Sequence, residues 1–163
     1  DDAKIPVLFV ELENDQNGTL TLYPGAGIGE TWLGADGATI TLEKGIIKAT
    51  RGMRNDVMGS ASSIPSWSRI KNEVEYTRQI SYLGGDNQIQ SNIFSCTVKA
   101  ANKRSTIIIF DVPFETQEFI ETCTNNTEKL KNSYFIDQKN IVRKSVQYHG
   151  PELGYLTIER IDR

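Results

Sequence analysis

The chain has 163 residues, the length of one domain or at most two small ones. Apolar residues make up 38% and charged residues 24%, which excludes an intrinsically disordered chain. The net charge is −3, with 8 basic and 11 acidic side chains in residues 1–83 and 10 of each in the rest. No basic face is implied, so nucleic acid is not an expected partner.

Val, Ile, Thr, Tyr, Phe and Trp supply 54 residues, and Ile outnumbers Leu by 18 to 10. Branching at Cβ suits a pleated sheet and restricts rotamers in a helix, so the balance points to strands. No apolar run approaches the length of a membrane-spanning helix. No charged segment leads into an apolar one as in a signal peptide, and the opening Asp1-Asp2 reads as a trimmed mature form.

In chain order, Val7 to Leu12 is the first predicted strand, and Thr19 to Tyr23 follows the polar turn Asn14–Gly18. Glu30 to Leu33 leads into Gly34-Ala35-Asp36-Gly37, where Asp-Gly signals a turn. Ala38 to Glu43 and Ile46 to Thr50 form a hairpin about Lys44-Gly45. Arg51 to Ser68 reads as a long loop, with one helical turn at Asn55–Met58 as an option, and long loops often carry function. Glu73 to Leu83 is a strand with Glu73, Glu75, Thr77 and Gln79 opposite Val74, Tyr76 and Ile80. Gln88 to Lys99 is the next strand, and Asn102-Lys103-Arg104 is its turn. Ser105 to Val112 follows, with Ile107 to Phe110 buried on both faces and Pro113 as its stop. Phe114 to Cys123 is strand or helix. Thr124 to Asn132 is a polar loop. Ser133 to Ile136 and Ile141 to Tyr148 pair about a turn at Asp137–Asn140, and Gly154 to Ile161 closes the chain. About ten short strands with little helix make an antiparallel all-β fold, a barrel or a curled sandwich, in one domain over 1–163.

Catalytic patterns are weak. The one histidine, His149, beside Gly150-Pro151, reads as a loop residue, too little for a His-rich metal site. No Gly-x-Ser-x-Gly elbow offers it a nucleophile. Glu73 and Glu75 lie about 7 Å apart along one strand face, a glycosidase-like spacing that solvated strands show by chance. Gly25-Ala26-Gly27-Ile28-Gly29 lacks the ending and the helix of a phosphate loop. Trp32 and Trp67 are sugar platforms if exposed and packing residues if not. Cys96 and Cys123 are either a disulfide worth roughly 3 kcal/mol or two buried thiols. No catalytic residue, metal or cofactor is expected.

Four stretches carry a resemblance. They are Trp32–Ala38 with Leu42–Met53 and Asp56–Met58, then Phe94–Thr97, then Glu121–Cys123, then Arg143–Gln147 with Gly150–Leu156. Together, across about residues 5–161, they resemble the YjbF/GfcB family of bacterial lipoproteins, associated with group 4 capsule and exopolysaccharide production. The resemblance implies a barrel-like domain, export, and an N-terminal lipid anchor that this chain lacks. It implies a periplasmic placement at the outer membrane, and with it a Cys96–Cys123 disulfide. It implies no enzymatic activity and a supporting role in polysaccharide assembly or export. Expected partners are polysaccharide-export or outer-membrane proteins, and polysaccharide itself. The membrane is reached only through the anchor.

The motif residues offered for binding or docking are Trp32, Thr50, Arg51, Gly52, Asp56, Ser145, Gln147, Gly150, Pro151, Gly154 and Tyr155. Arg51 and Asp56 are expected to pair across their loop or to present a polar site. Ser145 and Gln147 share a strand face, and serve buried groups if that face is interior or sugars if it is not. The alternatives are a carbohydrate-binding module using Trp32, Trp67 and the Arg51–Asp56 loop, and a polysaccharide hydrolase or lyase.

Overall fold

The computed structural model describes residues 4–162 apart from Ala26 and Ile28. Asp1-Asp2 and two positions of the glycine-rich stretch therefore lie outside the described residues. Twelve strands form: β1 (Pro6–Leu12), β2 (Asn17–Tyr23), β3 (Glu30–Gly34), β4 (Thr39–Glu43), β5 (Ile46–Arg51), β6 (Val57–Ser62), β7 (Val74–Leu83), β8 (Ile89–Ile109), β9 (Val112–Thr124), β10 (Lys129–Asp137), β11 (Val142–Gly150) and β12 (Gly154–Asp162). A 3-10 helix at Trp67–Arg69 is the one helical element among the described residues. No helix among them is long and apolar enough to cross a membrane.

The strands make one antiparallel sheet in the order β5-β4-β3-β2-β1-β12-β11-β10-β9-β8-β7-β6, curled into a nearly closed barrel. Every neighbouring pair is a sequential hairpin except β1–β12, which joins the two ends of the chain through Pro6↔Asp162 to Leu12↔Leu156. The two sheet edges are β5 and β6, consecutive in sequence and not joined by a ladder. Strand alternation fills the interior with Leu8, Val10, Trp32, Ile40, Phe94, Val98, Tyr134, Leu156 and Ile158. Each large apolar side chain buried this way contributes about 1.5–3 kcal/mol. Cys96 and Cys123 stand directly opposite on β8 and β9, 4.1 Å apart at Cα, and form a disulfide. Closing 27 residues of sequence contributes about 3–4 kcal/mol in the chain-entropy account.

The Lys44-Gly45 hairpin forms as expected, with positive φ at both residues. A Cβ on Gly45 would lie 2.3 Å from a Val142 methyl, so packing as well as φ demands glycine there.

Several expectations are corrected. The segment 51–68 is not one long loop, because Val57–Ser62 is β6 paired with β7. Asn55–Met58 forms no helical turn, since β6 already starts at Val57. Phe114–Cys123 is strand. Asn102-Lys103-Arg104 is not a turn: β8 runs through it with a register shift between Ala100 and Arg104. A bulge absorbs polar residues that would otherwise break the alternation. The reversal falls instead at Phe110-Asp111, which have φ of 46° and 66°. The run before it is not buried on both faces, since Ile109 is buried while Ile108 is 69% exposed.

Two-residue hairpin turns with both φ positive normally carry Asn-Gly, and a bulky side chain there costs about 1–2 kcal/mol. Replacing Phe110-Asp111 by Asn-Gly is expected to raise stability by about 1–2 kcal/mol. Urea denaturation reads this as a higher midpoint at unchanged slope.

Candidate functional site

Most of the motif residues converge on the gap between β5 and β6. Thr50 on β5 is 1% exposed and acts as a junction. Its hydroxyl donates to Asp56 Oδ1 (2.9 Å) and accepts from the Val57 amide (3.0 Å). The same oxygen lies 3.0 Å from His149 Nε2. With its proton already given to Asp56, Thr50 receives Nε2–H, which fixes the imidazole as that neutral tautomer. The other nitrogen, Nδ1, is buried with no protein partner.

Asp56 also accepts from the Gly52 and Met53 amides, both at 3.0 Å. One carboxylate therefore shapes the turn from β5 to β6. Arg51 does not pair with Asp56. Its Nη1 donates to the carbonyls of Thr50 (2.7 Å) and Val57 (3.0 Å), bridging the two edges directly.

Ser145 and Gln147 on β11 face the interior, and so does His149, a buried strand residue and not the loop residue expected. Gln147 reaches across the lumen to β5. Its Oε1 accepts from the Ile47 amide (2.9 Å), and its Nε2 donates to Gly45 O (2.8 Å) and to Ser145 Oγ (2.9 Å). Trp67 adds a third tie, donating Nε1–H to Lys44 O at 2.9 Å while its ring packs on Phe119 and Tyr134. Trp32 is 1% exposed beneath the Arg160 guanidinium. Neither indole face is free for a sugar.

The remaining motif residues form the turn from β11 to β12. Pro151 is exposed, and Gly154 has positive φ. Tyr155 accepts from the Lys131 amide (3.1 Å) and packs its ring on Tyr148. Gly150 is required by proximity: a Cβ there would meet Asn55 Oδ1 at 2.6 Å. Asn55 in turn donates to Leu83 O (2.9 Å), so β11, the β5–β6 turn and β7 meet at this point.

A second polar centre was not singled out from the sequence. Glu121 is 0% exposed and accepts from Tyr76 Oη, Arg78 Nη1 (3.0 Å), Asn132 Nδ2 (2.8 Å) and Tyr134 Oη (2.8 Å). Burial, with Glu121 beside them, pushes the Tyr76 and Tyr134 hydroxyls well above the ordinary tyrosine range. Burial works against the Arg78 charge, and Glu121 together with Tyr134, Tyr76 and Tyr82 more than restores it. Arg78 also donates to Ser60 Oγ on β6 (3.2 Å) and Ile47 O on β5 (3.4 Å), so it too spans the gap. The available signal was parity: Arg78 shares a face with Tyr76 and Ile80, and Glu121 with Phe119 and Cys123. Cys96, Cys123 and Glu121 group closely enough to suit a metal, but both sulfurs are held in the disulfide.

Glu73 and Glu75 are on the outer wall. A cavity of about 660 Å³ opens at the end where β1–β2, β3–β4 and β5–β6 turn. Val10, Leu20 and Ile40 form its floor, and Gln16, Asn17, Asp36 and Arg54 its rim. Gly34, Ala35, Asp36, Gly52 and Met53 place two motif turns on that rim.

Replacing Glu121 by Leu strands the Arg78 charge in the interior and is expected to cost about 3–5 kcal/mol. Adding Arg78→Met should recover part of that loss in a double-mutant cycle read by urea denaturation. His149 supplies a pH dependence. Burial holds its imidazole below the ordinary 6.5, against the opposing pull of Asp56. The unfolded chain takes up this proton first, so the contribution is complete above pH 6.5 and lost as pH falls below it. Between about pH 7 and pH 5 the denaturation midpoint should fall, and His149→Gln should flatten that slope.

No curated protein matches the chain in sequence. Its fold is similar to that of the hypothetical lipoprotein YmcC from Escherichia coli K12, with a TM-score of 0.83 at 20% identity over 99% of this chain and 89% of that one. Residues 1–161 match the family described as group 4 capsule polysaccharide lipoprotein GfcB, YjbF. With nearly its whole length matched, the chain belongs to the YjbF/GfcB family of capsule-associated lipoproteins.

Proposed function

We propose that the protein is a non-catalytic periplasmic domain, anchored at the outer membrane, that supports assembly or export of a capsule or exopolysaccharide. The observation that carries this reading is the family match over residues 1–161. The site chemistry agrees with it. Glu121, Asp56 and Gln147 each have their polar atoms committed to structural partners, and Glu121 is sealed from solvent. General acid–base catalysis needs a titratable group within reach of a substrate, and these groups face backbone amides, hydroxyls and a guanidinium instead. The open mouth, with its motif turns on the rim, is the surface for polysaccharide-export or outer-membrane partners.

A second reading uses the same mouth as a carbohydrate-binding site. Its rim of Gln16, Asn17, Asp36 and Arg54 offers sugar-compatible donors and acceptors above an aliphatic floor. Arg54 makes no ion pair among the described residues.

Deleting the gene is expected to reduce cell-surface polysaccharide, with recovery on re-expression of the wild-type chain. Unchanged surface polysaccharide in the deletion strain would reject the reading. Calorimetric titration with the organism's own polysaccharide separates the two uses of the mouth. Saturable heat abolished by Arg54→Glu supports sugar binding, and a flat titration leaves the protein-docking role.

A further inference from the structure

We infer that the barrel's terminal end seats against a phospholipid bilayer through an apolar corner formed by Ile5, Tyr23, Ile108, Phe110 and Val112. This rests on the lipoprotein character of the family and goes beyond the capsule role. Eight large apolar side chains are exposed among the described residues, and six of them, including Leu22, fall at one end of the barrel.

Strand register places them there. β1 begins at Pro6, opposite the end of β12 at Asp162. Val7 pairs with Thr21 on β2, and extending that register by two residues sets Ile5 opposite Tyr23. Both share the outward parity of Phe9, since Leu8 and Leu20 point inward. β9 last pairs with β10 at Thr116↔Asp137, also at this end. The β8–β9 hairpin then continues four residues further, an arm of about 13 Å. The arm reaches β1: the Phe110 ring meets Phe9 edge-on at 5.3 Å.

Ile5 is 65% exposed, Ile108 69% and Phe110 50%. An isolated exposed apolar residue needs no explanation, but a cluster of this kind marks a contact surface. The arm's turn adds an independent observation. Phe110 and Asp111 both sit at positive φ, where Asn-Gly would be relaxed. Strain retained on an exposed aromatic points to a use for that side chain.

The chemistry selects lipid as the occupant. β1 begins at Pro6 at this corner, and in a lipoprotein the N-terminal side of the domain is the side of the membrane tether. A tether holds the bilayer within reach of whichever surface surrounds it. Tyr23, with an apolar ring and a polar tip, suits the headgroup boundary beside the aliphatic Ile5 opposite it.

The test tethers the chain by an N-terminal hexahistidine to nickel-chelating vesicles of phosphatidylethanolamine and phosphatidylglycerol. The native cysteines are joined and buried, so a single new thiol takes an environment-sensitive NBD label. Phe110→Cys is compared with Gln88→Cys, an exposed position on the β7–β8 turn at the opposite end. A blue shift and doxyl-lipid quenching at position 110 but not at 88 support the proposal. Equal behaviour at both positions, or no change at either, overturns it. A shift in the absence of vesicles that grows with protein concentration marks self-association and also overturns it.

Untethered, wild-type chain should partition onto the same vesicles at least about tenfold better than Ile108→Ser/Phe110→Ser. The Asn-Gly turn variant, which folds at least as stably, should lose partition too. Partition unchanged in both variants rejects the proposal and leaves the capsule role standing, while a capsule-neutral deletion strain would not alter the vesicle result.

Discussion

A sheet that curls to within one pairing of closure has two edges, and their backbone amides and carbonyls must find partners out of water's reach. This constraint organises the interior. β5 and β6 are joined by a five-residue turn, yet no ladder connects them. An unpaired buried backbone group costs about 1–3 kcal/mol, and a bare edge would invite another strand. Side chains take over the missing ladder. Thr50 and Arg51 bind Val57 from one edge, while Gln147 and Arg78 reach β5 from other strands and Trp67, on the 3-10 helix, holds Lys44 in the turn that leads into it.

That substitution explains why the lumen is polar at chosen points inside an otherwise apolar core. Arg78 is long enough to touch Ile47 and Ser60 together, but a buried guanidinium needs a counter-charge. Glu121 supplies it from β9, and Tyr76, Asn132 and Tyr134 satisfy what remains of its lone pairs. Asn132 then accepts from the Tyr148 amide at 2.8 Å, which links the cluster to β11, the strand that carries Gln147 and His149. The two polar centres are thus ends of one system spanning the seam. The fully satisfied form rigidifies the barrel, whereas removing one member leaves several groups exposed to the same penalty.

The family fingerprint is legible in this light. Its polar letters Thr50, Arg51, Asp56, Ser145 and Gln147 are those that close the seam, and Gly150 clears room for Asn55. The fingerprint therefore records a way of finishing a barrel. Strand content and most hairpins were readable because turn chemistry is local: Lys44-Gly45 and Asp137–Asn140 turn where their residue types require. The Phe110-Asp111 reversal was not readable, because Phe110 does not favour positive φ and the polar bulge at Asn102–Arg104 mimics a turn. Arg78, Glu121 and His149 were hidden for another reason. Each lies on an inward parity, but a single charged residue in an alternating strand gains meaning only when its partner, tens of residues away, is known. The cysteine pairing depended likewise on a β8–β9 register that spacing alone left open.

The barrel's two ends differ in chemistry, and the topology dictates which is which. In a meander, turns alternate between ends, so the motif turns at Gly34–Ala38 and Gly52–Met53 share one end with β1–β2 and β11–β12. The start of β1, the end of β12 and the β8–β9 arm occupy the other. A nine-residue strand such as β11 spans about 30 Å along its own length, so a full strand separates the mouth from the end where β1 begins at Pro6. In the proposed anchored form the mouth therefore faces away from the point of attachment. Orientation would be lost if the barrel sheared at its weakest line, the seam without a ladder. The buried network runs across that line, from Ser60 on β6 through Arg78 to Ile47 on β5. The same side chains that satisfy the open edges thus hold the mouth and the opposite end of the barrel in fixed relation.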